Sequence, residues 1–571
     1  MRSARAGETL TVQLGGALGD NFAAVGATLN VESGTVGNGA EVANSEVNVS
    51  GGTIGSNFNA FSGSTINVSG GQIGNNFEAN NGSTVNISGG EVGSTFDANS
   101  GSTVNISGGT VGSNFDANSG STVNITEGTV ESSFDAFDGS TVNISGGSVG
   151  NDFNANSGST VNISGGVVGS NLDTSSNSTV NISGGVVGSN LDAFGTVNIS
   201  GGEVGSSFDA FFSSTVNISG GTVGNGFDAN NGSEVNITGG TVGNDFLALS
   251  GSTVNIAGGV IGNGFDANSG STVNISGGGF LLNGSTINDI TSPFNLSEGD
   301  VFTGTLEDGS SFIFSTLASD SFSFDSVNLF ETSTPIVDIT PQTINTASTL
   351  RSLRSGQTLI VQSGGELGDN FTSVNATLNV EAGSVGNFVE VAGSEINVSG
   401  GAVGSDFTAY TGSTVNISGG TTVSNNFSAN NGSTVNISGG TIDENFSANS
   451  STVNISGGTV GDFFDAQEGS TVDISGGAVG NSFDANSGST VNISGGSVGV
   501  AFDANNGSTI NISAGDVGTF FRANDGSNVI ISGGNVGAFF DANSGSTVNI
   551  CLLYTSPSPR DRTRSRMPSS A

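Results

Sequence analysis

Carboxylates recur at one place in a repeated motif, and they are the residues of this chain best suited to chemistry. The motif Ser-Thr-Val-Asn-Ile-Ser-Gly-Gly-x-Val-Gly-x-x-Phe-Asp-Ala-Asn-Ser-Gly returns about every 19 residues, so the acidic residue after Phe is predicted to form a column. Carboxylates about 4.8 Å apart repel by roughly 1 kcal/mol per pair even in water. Ca²⁺ prefers oxygen ligands and would relieve that repulsion. The candidate calcium ligands are Asp97, Asp116, Asp135, Asp209 and Asp228.

The same column also fits a solvated acidic face with no bound metal. Residues of other types interrupt it, namely Asn59, Asn154, Leu247, Thr408, Ser428, Ser447 and Arg522. The motif also differs from the Gly-Gly-x-Gly-x-Asp nonapeptide of calcium-binding β-rolls, which sets its glycines and Asp differently. We therefore predict no resident cofactor, and Ca²⁺ remains the one candidate ligand.

Groups for acid–base catalysis are scarce in this sequence. The chain has no His, its cations are all Arg, and Arg351, Arg354 and Arg522 are isolated, in that they form no charged cluster of the kind that enzymes use. Paired carboxylates exist only as a monotonous column, whereas a glycosidase needs one distinctive pair in a cleft. We predict that the chain has no catalytic residues and is not an enzyme.

A second outward pattern is more regular than the acidic column. Thr103, Asn105 and Ser107 recur in copy after copy, so three polar columns are predicted on one flat side of the fold. Asn stacks stabilise neighbouring strands and Thr favours strands, which is a purely structural role. The alternative is ice binding, since flat Thr and Asn arrays on β-solenoids resemble those of some antifreeze proteins.

These columns require a fold that stacks one copy of the motif on the next. Val104 and Ile106 alternate with polar residues as in a half-buried strand, and Gly108–Gly109 provides a sharp corner. Val111, Phe115 and Ala117 complete the inward set on two further sides. We predict an all-β, parallel β-helix (β-solenoid), right-handed and three-sided, with coils of about 19 residues.

The motif predicts two arrays in tandem. The first covers residues 1–279, and a truncated second covers residues 351–550. Residues 280–350 lose the motif, so we interpret them as a β-rich cap or spacer followed by a linker. Residues 551–571 break the repeat in mid-strand and resemble the translation of sequencing-adaptor read-through, which we interpret as an artefactual or disordered tail.

The composition excludes several partners. The net charge of −40 argues against nucleic acid and anionic membranes, because phosphate binding relies on cations. No run reaches the length of a transmembrane helix, so we predict no membrane insertion. The single Cys excludes disulfide stapling. No apolar signal-peptide segment lies in the first 30 residues, and we interpret the chain as a fragment.

The repeated pattern resembles the β-solenoid stalks of filamentous-haemagglutinin-type adhesins and autotransporter passenger domains. That resemblance implies a secreted or cell-surface bacterial protein that acts as a spacer or adhesive rod. Its implied partners are surface polysaccharide, other cells or matrix. Polysaccharide lyases and hydrolases are also β-helices, so a polysaccharide-active enzyme is the least favoured alternative.

Overall fold

The protein is a parallel β-solenoid, as predicted. The structure, a computed structural model, describes residues 3–262, 264–287, 290, 296, 300–315, 327–331, 341–348 and 350–551. Every regular element within these residues is a β-strand. The right hand of the coil remains a prediction. The chain divides into two compact units, residues 1–335 and 336–571, and the predicted domain bounds also remain predictions.

One coil contains a long bent strand and a short strand, here Thr103–Val111 and Phe115–Ala117. The inward set consists of Val104, Ile106, Val111, Phe115 and Ala117, each 0–1% exposed. Alternation along the strand puts every second side chain inside, which accounts for the pattern. The predicted core positions are therefore confirmed.

Coils stack in register, like residue on like residue. Thr84 pairs with Thr103 and Thr103 with Thr122, and the same holds for the Val, Asn and Ile that follow. Phe96, Phe115 and Phe134 form part of a stacked aromatic column with ring centroids 4.7–4.8 Å apart. A single coil has no partner for its backbone groups, so stability arises between neighbours.

The long strand bends at Ser107–Gly109, where its register with the next coil shifts. Gly109 has φ +76°, and a Cβ there would lie 2.7 Å from the carbonyl oxygen of Gly90 in the preceding coil. Both the left-handed backbone and the close approach require glycine. In the first coils the same corner separates two strands, such as Thr28–Val31 and Thr35–Val36.

Two local features differ from the expected corner chemistry. The left-handed residue before the short strand is Asn114, with φ 61°, and no glycine is needed there. Asn tolerates this conformation better than most residues, which explains the Asn, Asp and Ser that recur at this place. Ser102 is 1% exposed, although the sequence pattern did not mark it as inward. It ends a tight turn in which its N–H donates to the Asn99 carbonyl oxygen at 2.9 Å.

The strands of the first unit fall into three groups. The bent strands, including their two-part versions in the first coils, are Thr9–Val12, Ala17–Leu18, Thr28–Val31, Thr35–Val36, Glu46–Val49, Thr53–Ile54, Thr65–Ile73, Thr84–Val92, Thr103–Val111, Thr122–Val130, Thr141–Val149, Thr160–Val168, Thr179–Val187, Thr196–Val204, Thr215–Val223, Glu234–Val242 and Thr253–Ile261. The short strands are Ser3–Ala4, Ala23–Val25, Glu41–Ala43, Phe58–Ala60, Phe77–Ala79, Phe96–Ala98, Phe115–Ala117, Phe134–Ala136, Phe153–Ala155, Leu172–Thr174, Leu191–Ala193, Phe208–Ala210, Phe227–Ala229, Leu247–Ala248 and Asp266–Ala267. The closing strands are Thr272–Leu282, Ser285–Thr286, Val301–Leu306, Ser311–Ser315 and Val327–Glu331.

The first unit closes with antiparallel strands and a final parallel one. Thr272–Leu282 pairs antiparallel with Val301–Leu306, which pairs with Ser311–Ser315. Val327–Glu331 then lies parallel to Thr272–Leu282, with Val327 opposite Val273 and Asn328 opposite Asn274. The segment Val327-Asn328-Leu329 thus acts as a degenerate copy of the Val-Asn-Ile core, which the sequence analysis did not identify.

The second unit repeats the design. Its bent strands and their two-part versions are Gln342–Ile344, Ala347–Ser348, Thr358–Val361, Glu366–Leu367, Thr377–Val380, Ser384–Val385, Glu395–Val398, Ala402–Val403, Thr414–Ile417, Thr422–Val423, Thr434–Ile442, Thr452–Val460, Thr471–Ile474, Ala478–Val479, Thr490–Val498, Thr509–Val517, Asn528–Ile531, Asn535–Val536 and Thr547–Ile550. Its short strands are Ser352–Leu353, Thr372–Val374, Glu390–Ala392, Thr408–Ala409, Ser428–Asn430, Ser447–Asn449, Asp465–Gln467, Asp484–Ala485, Asp503–Ala504, Arg522–Ala523 and Asp541–Ala542.

The first strands of this unit fall within the stretch predicted as a linker. Gln342–Ile344 pairs in parallel with Thr358–Val361, so it belongs to the solenoid. Of the predicted tail, only Cys551 lies within the described residues, and its thiol is free and exposed.

Candidate functional site

The acidic column is assembled as predicted, on the outer side of the short strands. Asp97 pairs in register with Asp116, and Asp116 with Asp135. Asp209 and Asp228 are likewise neighbours in register. All five residues are partly buried, because the strand backbone and the adjacent corners shield them. The candidate calcium ligands therefore form two separate runs of stacked carboxylates.

Burial raises the pKa of several of these carboxyls. Desolvation is the main cause at Asp116, and the carboxylates of Asp97 and Asp135 add to it, so its pKa rises from 3.8 to about 6. Desolvation also raises the pKa of Asp97, and at Asp228 the Asp209 carboxylate adds to that effect. Each group therefore holds its proton more tightly than a solvated aspartate does.

Hydrogen bonds occupy part of the same column. Asn154 donates its Nδ2 to Asp135 Oδ1 at 2.6 Å, and Asn230 donates to Asp209 Oδ1 at 3.4 Å. Within the described residues, no group of three or more His, Cys, Asp or Glu side chains is arranged to hold a metal ion. The column is a line of single carboxylates, and calcium binding remains a prediction.

The second unit holds a charged variant of the column. Arg522 lies in register between Asp503 and Asp541, and its Nη1 is 3.3 Å from Asp503 Oδ2. It borders a cavity of about 420 Å³ lined by Phe520, Arg522, Phe539, Phe540 and Asp541. The Phe520 and Phe539 rings are exposed and stack with centroids 5.0 Å apart. The sequence analysis noted Arg522 but not this aromatic pair.

The predicted Thr, Asn and Ser columns also form. Asn105 donates its Nδ2 to Asn86 Oδ1 at 2.8 Å and accepts from Asn124 at 2.8 Å, and this pattern continues from Asn30 to Asn328. Ser107 Oγ donates to the Ile87 carbonyl oxygen at 3.5 Å. The Asn amides are thus engaged with one another in a continuous ladder.

One coil departs from the rest. The core Asn residues Asn181 and Asn198 are 17 positions apart, where the neighbouring coils keep 19. The missing residues come from the corner after Ala193, which is reduced to Phe194–Gly195. The Phe194 and Phe211 rings stack beside this corner with centroids 4.5 Å apart and planes inclined by 6°. The length change falls in a turn, where the solenoid tolerates it, and no repeat pattern in the sequence marked the surface aromatic pair.

Comparison with known proteins adds little. No family profile matches the chain, and neither does any curated protein sequence. Among solved structures, the PL6 family alginate lyase AlyGC matches over 96% of this chain and 100% of its own, with 10% identity and a TM-score of 0.15. The two chains therefore do not superpose closely, and the match carries no argument about activity. Among the described residues, no helix has the length and hydropathy needed to span a membrane.

Proposed function

We propose that this chain is a non-catalytic structural and adhesive protein, displayed outside a bacterial cell as a stiff acidic stalk. The observation that carries this proposal is the Asn ladder, which links each coil to the next by a hydrogen bond of 2.7–3.0 Å from Asn30 to Asn274. Combined with the stacked Phe column, the ladder gives each unit a continuous internal support. Such a stack resists bending because its contacts repeat without interruption.

Adhesion follows from the repetition of the outer surface. Most coils present similar polar groups to solvent, and many also present an acid, so a weak contact made by one coil is available many times along a unit. Repeated weak contacts give a much higher combined affinity than one contact does. The proposed partners are surface polysaccharide, other cells or extracellular matrix.

Surface display and adhesion are tested separately. Antibodies against the purified chain should label intact producing cells, and external protease should remove the label. Beads coated with the full chain should attach to cells or matrix more than beads coated with albumin of similar acidity. Label found only after cell lysis, together with no attachment above the albumin control, would contradict the proposal.

Catalysis is the competing reading of the acidic column. Asp97 and Asp116 are stacked carboxylates, and the pKa of Asp116 is raised to about 6, a combination also used in glycoside hydrolysis. We expect no new reducing ends or unsaturated products when the full chain is incubated with alginate, pectin or β-glucan. Product formation that disappears in Asp116→Asn would replace the structural role with an enzymatic one.

Ice binding is the other alternative, and the Thr column favours it. Thr84, Thr103 and Thr122 lie in register on a parallel sheet. However, the Asn amides between them already bond to one another, which leaves fewer groups to order water. Thermal hysteresis above that of a buffer control, lost when Thr103 and Thr122 become Ser, would favour this alternative.

A further inference from the structure

The short coil is supported by changes in the core beneath it. Thr174 takes the inward place that Ala holds in the neighbouring coils, and it is 0% exposed. Its hydroxyl oxygen accepts the N–H groups of Phe194 at 3.1 Å and Gly195 at 3.0 Å. In the column of large inward side chains, Leu172 and Leu191 replace Phe in the same two coils. The shortened corner is therefore held by a dedicated set of core residues.

In successive coils, the turns that follow the short strands stack on one another and form a ridge along the surface. The shortened turn leaves a gap in this ridge. On one side, the Gly158 N–H donates to the Asn177 carbonyl oxygen at 3.3 Å; on the other, the Ser213 N–H donates to the Gly232 carbonyl oxygen at 3.0 Å. The coil between them has no residue equivalent to Asn177 or Ser213, because its turn contains only Phe194–Gly195. The ridge is thus interrupted for the height of one coil.

Aromatic side chains lie at this gap. Phe194 is 42% exposed and Phe212 is 70% exposed, while Phe211 is half-buried against Phe194. Elsewhere in the first unit, the places of Phe194 and Phe211 are mostly held by Asn or Ser. The stacked Phe194–Phe211 pair, with the Phe212 ring next to it over Gly232 of the following coil, is an exception on this polar surface that packing of the core does not require.

Carboxylates border the rings on the same face. Asp192 and Asp209 are paired in register, and each precedes its phenylalanine by two residues, so acid and ring lie on the same outward side about 7 Å apart. Two rings and the two acids beside them thus form a four-cornered array, and the acids belong to a run that continues to Asp173 and Asp228. Elsewhere in the described part of the first unit, Phe61 and Phe137 are isolated at the equivalent place.

We propose that the stacked Phe194–Phe211 pair, extended by the exposed Phe212 ring, and the Asp192–Asp209 pair together bind a pyranose ring of a neutral polysaccharide. This deepens the adhesive role proposed above and rests on it. A pyranose has apolar C–H groups that pack on aromatic rings and a rim of hydroxyls that donate to carboxylates. The array offers both kinds of group side by side.

Other ligands fit this array less well. Acidic glycans, phosphate and sulfate are repelled by the two carboxylates and by the net charge of −40. An apolar protein segment would cover Asp192 and Asp209 without adding a donor to the one long hydrogen bond that Asp209 accepts from Asn230, and burying carboxylates with so few donors is costly. A neutral sugar covers the rings and supplies donors at the same time.

The test is calorimetric titration of the full chain with cellohexaose, mannohexaose and maltohexaose, with hexagalacturonate as the acidic probe. The site variant is Phe194→Asn/Phe211→Asn/Phe212→Ser, in which each new residue already occupies the equivalent place in other coils. Phe212→Ser alone is a milder second variant. Matched controls are Phe61→Asn/Phe137→Asn and Phe520→Asn/Phe539→Asn, which remove other surface rings.

We expect at least one neutral hexasaccharide to bind, hexagalacturonate to bind at least tenfold more weakly, and the site variant to lose at least tenfold in affinity. Both control variants should keep the affinity of the original chain. The proposal is overturned if no neutral sugar binds or if the site variant binds sugar as well as the original chain does. It is also overturned if sugar affinity is lost in Phe520→Asn/Phe539→Asn, or if the site variant loses self-association of the chain and not sugar binding. If beads coated with the site variant still attach to cells, the adhesive role holds but does not depend on this site. If beads coated with the original chain fail to attach, the adhesive role itself is wrong.

Discussion

Asp116 shows how a repeat sets the properties of a single residue. Its environment contains the same acid one coil below and one coil above, so the neighbouring carboxylates add to the effect of its own burial in raising its pKa. Alternation along the strands was enough to predict the inward residues and the acidic column. It could not identify Ser102 as buried or Asn114 as left-handed, because turn geometry follows from how coils stack and not from local hydropathy.

The raised pKa of Asp116 predicts an unusual pH dependence. Because the folded pKa of about 6 lies above the ordinary value of 3.8, the folded state binds the proton more tightly, and Asp116 favours folding increasingly as pH falls from about 6 to 4. Asp116→Asn should stabilise the chain at pH 7 by roughly 0.5 kcal/mol, allowing for solvent screening, and flatten this pH dependence. Thermal melts of both proteins from pH 4 to 8 measure the two effects. Equal pH profiles for the two proteins would contradict the assignment.

The Asn ladder predicts a loss of stability on removing one amide. Asn105→Ala removes one donated and one accepted hydrogen bond, so the free energy of unfolding should fall by about 1–2 kcal/mol. Thr103→Ala, on the same outward side of the strand, is the control and should cost less than about 0.5 kcal/mol. Urea denaturation measures both. A similar cost for the two variants would mean that the ladder adds nothing specific.

The coil is the repeating structural element of this fold. The sequence predicts the structure of some of its sides better than that of others. The side carrying the Val-Asn-Ile core is specified by alternation, and Phe115 by its column. The closing strand Val327–Glu331 escaped prediction because it pairs with Thr272–Leu282 across about 50 intervening residues that do not carry the motif. Short-range pattern contains no information on such a long connection. For the same reason, the aromatic pair at the short coil emerged only once the coils were stacked.

The stacked Phe column predicts graded effects of core substitutions. Phe115→Ala opens a cavity between Phe96 and Phe134 and should cost about 3–5 kcal/mol of unfolding free energy. Phe115→Leu should cost less than about 1.5 kcal/mol, since Leu172 and Leu191 already occupy this column. Chemical denaturation distinguishes the two. A Leu variant as unstable as the Ala variant would show that ring stacking, and not volume, supports the column.

The whole molecule contains two units, each with its own hydrophobic core. Each coil contacts only its neighbours, so stability is expected to add up within a unit and not between units. The net charge of −40 acts on both units at once and opposes compaction through self-repulsion. Composition alone predicted this charge effect, and loss of the motif over residues 280–350 predicted a division of the chain, but its place at residue 335 follows from the closing strands of the first unit.

Calorimetric unfolding should show two transitions, one for each unit. Phe314 closes the first unit, with its ring 5.5 Å from Phe265, so Phe314→Ala should lower one transition by several degrees. Phe521→Ala should lower only the other transition, because Phe521 lies in the second core. A single transition that both variants shift equally would mean that the units unfold together.

Salt should stabilise the chain through screening. Raising NaCl from 0.01 to 0.5 M should raise the melting temperature, because screening weakens repulsion among the carboxylates. At equal ionic strength, Ca²⁺ and Mg²⁺ should act alike on a solvated acidic face. A larger shift with Ca²⁺ that disappears in Asp97→Asn/Asp116→Asn/Asp135→Asn would instead establish a calcium site.

The Asn ladder also gives the first unit a direction. Each Nδ2 donates to the coil before it, from Asn48 donating to Asn30 through to Asn328 donating to Asn274, so the amide dipoles point the same way and polarise one another. The dipole of each amide adds to the next, as peptide dipoles do in an α-helix. The unit is therefore electrically polar along its stacking axis: the donor end of the ladder lies at Asn30, whose amide donates to Thr11 Oγ1 at 3.5 Å, and the acceptor end lies at Asn328.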